Sequence, residues 1–99
     1  MPYILKESRV KYDGIVDYLV DELIFKHDGA EFKSSVNWGH VNYVITRLIR
    51  LIVKRIGLNY SVVNSAMGVL TSVSNEFYRR IAIPYEDKKK DENGDMFIL

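Results

Sequence analysis

The chain contains no cysteine. It therefore forms no disulfide, binds no metal through thiolates, and leaves its redox compartment unwritten. Proline occurs only at Pro2 and Pro84, so little interrupts helix formation between them. Excess charge is also missing: 14 Lys and Arg stand against 13 Asp and Glu, a formal net charge of +1. That balance supplies no long-range field toward nucleic acid or an anionic membrane. A long apolar run is absent too. The longest charge-free stretch, Ile56 to Asn75, has the length of a membrane span. It carries Asn59, Ser61, Asn64, Ser65, Thr71, Ser72, Ser74 and Asn75, which makes insertion unfavourable. Lys6, Glu7 and Arg9 follow Met1–Leu5 at once, so no signal-peptide core is expected, and the cytoplasm is the expected compartment.

Catalytic signatures are equally scarce. His27 and His40 are isolated, and no H-E-x-x-H spacing accompanies them. "DENGD" at 91–95 lacks the remaining positions of a twelve-residue calcium loop. No Gly-rich phosphate loop, nucleophile elbow or Cys–His pair is present. The expectation is a protein that is not an enzyme, with no metal and no cofactor.

What is present is the material of one domain. Ninety-nine residues suffice for a single core. Hydrophobic residues at 47% and charged residues at 27% separate the chain from disordered sequences. Periodicity predicts three helices. The first runs over about 8–27, with Ser8 as N-cap, Gly29 as stop, and Tyr12, Ile15, Val16, Leu19 and Leu23 on one face. Asp13, Asp17 and Asp21 line another face. The second covers about 36–56, capped by Ser35 or Asn37 and closed by Gly57. Val41, Ile45, Leu48, Ile52 and Ile56 form its core stripe. The third covers about 61–83, from a Ser61 cap to Pro84, which disfavours helix in the residue before it. Val63, Ala66, Leu70, Val73, Phe77 and Ile81 make its core face. Short connections between three helices predict an all-α, small antiparallel three-helix bundle with short extended or irregular termini. The domain would span 1–87, and 88–99 would form a charged tail with an apolar end, "MFIL". Pairing of that end with "PYIL" at 2–5 is left open by the sequence.

The third helix has too few charges for a solvent-facing partner in a lone bundle. Ser61 to Asn75 carries none. Ser61, Ser65, Gly68 and Ser72 recur at i, i+4, i+7 and i+11, and small residues at that spacing allow a second helix to approach closely. The ordinary alternative is a polar helix face. The self-association reading expects a homo-oligomer, with a two-fold dimer favoured as the commonest closed arrangement.

Near the end of the chain, Glu76, Tyr78, Arg79, Arg80, Tyr85 and Glu86 crowd together. Guanidinium groups grip phosphate or carboxylate through two parallel bonds, and tyrosines offer a stacking surface. The plainer reading is surface ion pairing from Glu76 to Arg80, one helical turn apart. Asn42 and Thr46 are one turn apart on the second helix and offer hydrogen bonds to a ligand or a neighbouring helix. More commonly such groups are solvated or bond to the backbone. Arg47, Arg50 and Lys54 form a basic strip that, with Arg79 and Arg80, defines the alternative function, a nucleic-acid-binding module.

Several stretches resemble a family of small uncharacterised helical proteins of bacteria, archaea and their viruses. They are "MPYI" at the start, "NYVITRL" in the middle, then "GVL" and "EFYRRIAIPYEDKKKDENGD". The residues that carry the pattern are Asn42, Tyr43, Thr46, Gly68, Glu76, Tyr78, Arg79, Arg80, Pro84, Tyr85, Glu86, Asn93 and Gly94. The loop over 28–38 is longer than the pattern implies. The resemblance implies a helical domain of unknown activity and transfers no catalytic residue. It also implies a prokaryotic or viral setting, in which the protein would bind a host protein or a small nucleotide signal in the host cytoplasm.

Overall fold

The computed structural model describes residues 4–27 and 33–95, with backbone alone at 26, 27, 33 and 34. In chain order come α1 (Lys6–Leu23), β1 (Ile24–His27), β2 (Lys33–Val36), α2 (Trp38–Ile56), α3 (Tyr60–Phe77), a π-helical segment (Tyr78–Ala82) and α4 (Ile83–Asn93). Helix dominates, and a two-stranded sheet is the minor addition. The chain divides between Asn59 and Tyr60 into two compact units, which are described separately.

In the first unit, α1 starts at Lys6, two residues ahead of the expected cap. Ser8 donates its backbone N–H to the Leu5 carbonyl at 3.0 Å, and Arg9 Nε reaches back to the Ile4 carbonyl at 3.1 Å. Ser8 therefore sits inside the first turn. Helix was expected to run on to His27, but it ends at Leu23. Ile24 takes extended backbone angles (φ −91°, ψ 121°). Ile24 and Phe25 are β-branched and aromatic, suited to a pleated strand. They enter an antiparallel ladder that pairs Ile24 with Val36, Phe25 with Ser35, Lys26 with Ser34 and His27 with Lys33. An isolated hairpin is marginal in water. Here it is tied to α2 by the Phe25 ring, which meets His40 edge-on at 5.7 Å. Gly29, the expected stop, lies outside the described residues, as do Pro2, Tyr3 and the "MFIL" end.

Of the two expected caps for α2, Asn37 takes the role. Its Oδ1 accepts from the Gly39 N–H at 2.9 Å. Val36 belongs to β2, so α2 opens at Trp38. Gly57 closes it at φ 107° and ψ 136°, donating its N–H to the Val53 carbonyl at 2.9 Å. The φ is positive as expected, although the ψ is extended rather than left-handed helical.

The second unit is one helical run of about 50 Å at 1.5 Å per residue. Its helix begins at Tyr60, so Ser61 falls in the first turn instead of capping it. Pro84 does not end it. Phe77, Ala82 and Ile83 all keep right-handed helical angles, and Ile83 donates its N–H to the Tyr78 carbonyl in the wider π pattern. A proline ring collides with the carbonyl four residues back in a regular α-helix. Widening the turn just before Pro84 displaces that carbonyl and lets the chain continue. Residues 88–93, expected as an irregular charged tail, are therefore helical up to Gly94, whose φ is 86°.

The expected core stripes exist as faces, but no described residue is buried. Ile15 is 67% exposed on α1, Leu48 57% on α2 and Val73 62% on α3. The two helix-interior and helix-end glycines separate cleanly. A Cβ at Gly14 meets nothing within 4 Å, whereas Gly57 holds a backbone angle that L side chains avoid. Gly14→Ala should raise stability by about 0.8–1 kcal/mol, and Gly57→Ala should lower it by about 1–3 kcal/mol. Urea unfolding followed by circular dichroism, at matched protein concentration, measures both.

Candidate functional site

The cluster near the end of the second unit is built by helical spacing. Glu76 closes the last turn of α3, and Arg79 and Arg80 lie in the π-helical segment three and four residues on. Arg79 Nη2 contacts both Glu76 oxygens, at 3.0 Å to Oε1 and 3.1 Å to Oε2. Arg80 Nε donates to Oε2 at 2.9 Å. One carboxylate thus bridges two guanidinium groups, and the cluster keeps a single net positive charge. The Glu76 side chain is 27% exposed and the arginines 58% and 56%. Such solvent-facing pairs stabilise a helix by about 0.3–0.5 kcal/mol each.

Tyr78 opens the π segment, and Tyr85 and Glu86 lie in the first turn of α4; all three are exposed. Lys89 Nζ sits 5.7 Å from the Tyr85 ring centroid. No hydrogen bond among the described residues ties Tyr85 or Glu86 to the Glu76 cluster. The π segment is the feature that sequence reasoning missed. Its signal was Pro84 inside an otherwise helical pattern, read as a terminator.

Asn42 and Thr46 belong to the first unit and engage each other: Thr46 Oγ1 donates to Asn42 Oδ1 at 3.2 Å. The eight expected ligand-contacting residues therefore fall into two groups, one in each unit. Arg47, Arg50 and Lys54 are exposed along α2. Ser61, Ser65, Gly68 and Ser72 are exposed along α3, and a Cβ at Gly68 would meet no atom within 4 Å. Close by, Thr71 Oγ1 bonds the Met67 carbonyl at 3.0 Å. Among the described residues no three His, Asp or Glu side chains converge on a metal position. None of the described helices is long and apolar enough to cross a membrane.

A family model described as "Domain of unknown function (DUF6899)" matches residues 1–96. The chain belongs to that family. No curated protein and no solved structure matches it.

The doubly bridged Glu76 makes a specific prediction. Glu76→Gln removes the charge that holds Arg79 and Arg80 and should cost about 0.5–1 kcal/mol of helix stability. It should also raise binding to generic single-stranded DNA at low salt, measured by fluorescence anisotropy. Unchanged stability would mean that the arginines are held by something other than this carboxylate.

Proposed function

We propose that the protein is a non-enzymatic, self-associating helical interaction protein that completes its core with a second copy, a dimer. One observation carries the reading: apolar faces recur along α1, α2 and α3, yet no described residue is buried. Isolated helices draw little stability from propensity alone, and most comes from covering an apolar face. Burying the exposed share of Val63, Leu70, Val73 and Phe77 would contribute on the order of 1 kcal/mol each. The antiparallel bundle expected from the short connections is, on this reading, assembled with helices from both copies. The uncharged stripe of Ser61, Ser65, Gly68 and Ser72 is a second surface suited to close approach. A cytoplasmic setting goes with this reading, and a host protein or a small nucleotide is the kind of partner the assembled dimer would meet.

The nucleic-acid reading is weaker. Glu76 absorbs one of the charges it needs, and the formal net charge is only +1. Phosphate-driven binding would have to rest mainly on Arg47, Arg50 and Lys54.

Light scattering on the purified chain should return twice the monomer mass. Gly68→Leu sharpens the test. Within one chain a Cβ at Gly68 meets nothing within 4 Å, and leucine gains about 0.8 kcal/mol in helix propensity. Against a packed partner it costs about 1–3 kcal/mol. The expected outcome is a lower oligomeric mass with helical circular dichroism retained. An unchanged mass with a raised melting temperature removes helix α3 from the interface, and a monomeric wild type overturns the reading itself.

A further inference from the structure

The two units treat their charges differently. In the second, acids and bases alternate at helical spacing and pair within the helix: Glu76 with Arg79 and Arg80, Lys89 with Glu92, Lys90 with Asp87. In the first, α1 opens with bases (Lys6, Arg9 and Lys11), and beyond them the signs separate by helix. From Tyr12 to the end of α1 the charged residues are Asp13, Asp17, Asp21 and Glu22, with no base among them. On α2 they are Arg47, Arg50, Lys54 and Arg55, with no acid. Like charges three and four residues apart on a helix repel. Asp13, Asp17 and Asp21 repeat at i, i+4 and i+8, and Arg47, Arg50 and Lys54 at i, i+3 and i+7. Arg9 stands one turn before Asp13, but Asp17 and Asp21 have no base one turn away on α1, and the α2 row has no acid on its own helix. All six are exposed, and no ion pair joins α1 to α2 among the described residues.

We infer that the acidic row of α1 docks on the basic row of α2 of a second copy. The inference rests on the self-association reading and names the contact that fixes partner and orientation. The rows match in length, about 12 Å from Asp13 to Asp21 and about 10 Å from Arg47 to Lys54 at 1.5 Å per residue. Antiparallel docking sets Asp13 against Lys54, Asp17 against Arg50 and Asp21 against Arg47. Two-fold symmetry makes the contact twice, because each copy offers one row of each sign. Complementary rows select partner and register, while the apolar faces supply most of the affinity.

The test uses Asp17→Lys and Arg50→Glu, each made in the full-length chain and followed by sedimentation velocity. Each variant alone should dimerise on the order of tenfold more weakly than wild type. Mixing the two variants one to one should restore dimer to within about threefold of the wild-type dissociation constant. In the mixed dimer Lys from one copy meets Glu from the other, and the untouched Asp17 and Arg50 meet at the second contact. Rescue on mixing also demonstrates that both variants are folded. Variants that are weakened alone and not rescued by mixing place the pairing inside one chain and overturn the inference. Variants that dimerise like wild type overturn it as well, and would leave the α2 row to another use, such as nucleic acid. In either case a dimeric wild type leaves the self-association reading standing, whereas a monomeric wild type removes both.

Discussion

A helix in water is held mainly by whatever covers its apolar face. Everything else in this molecule follows from how that requirement is left within one chain. Three helices carry apolar faces of the right period, a hairpin interrupts the first unit, and a π-helical segment lets the second run past a proline. None of these devices buries a described residue. Local interactions fix the backbone: the Asn37 cap, the positive φ at Gly57 and Gly94, the widened turn before Pro84. Ordering each residue costs roughly 1–2 kcal/mol, which caps and turns alone do not offset. On the self-association reading, contacts made on assembly would supply the missing stabilisation.

The charge pattern is consistent with such a division of labour. The second unit pairs Glu76, Arg79, Arg80, Asp87, Lys89, Lys90 and Glu92 within its own helix. Beyond the bases that open α1, the first unit places acids on α1 and bases on α2, where most of each row finds only like charges one turn away. Surface charges contribute little affinity, but they decide which partner and which orientation are tolerated. On the proposed reading, apolar faces would supply the drive toward association, and the charged rows would give it direction. The Glu76 bridge is of the self-contained kind. It organises the π segment locally, where Tyr78 is exposed, as Tyr85 is in the first turn of α4.

Much of the fold was legible in the residues because local rules governed it. The α2 stripe, its Asn37 cap and the Gly57 end were all readable from period and turn chemistry. The failures have physical causes. Helix one was carried to His27 because Ile24 and Phe25 suit a helical period as well as a strand. Pro84 was read as a stop because a regular α-helix cannot hold it, and the π turn evades that rule. Burial was the least legible property. Period tells which face seeks cover, not whether the cover lies in the same chain. Of the candidate site, the Glu76–Arg80 pair and the closeness of Asn42 to Thr46 were readable from spacing. Arg79 as a second partner of Glu76 was less legible, because i, i+3 and i, i+4 arginines compete for one carboxylate and spacing does not say that both are held.

The measurement that bears most directly on this account is the melting temperature as a function of protein concentration, followed by far-ultraviolet circular dichroism. When folding and association are coupled, mass action links stability to protomer concentration. The account predicts a midpoint that rises steadily over a hundredfold concentration range, with helix and dimer lost together. A cooperative transition at one temperature throughout that range would contradict it, because the helices would then be held by contacts within a single chain.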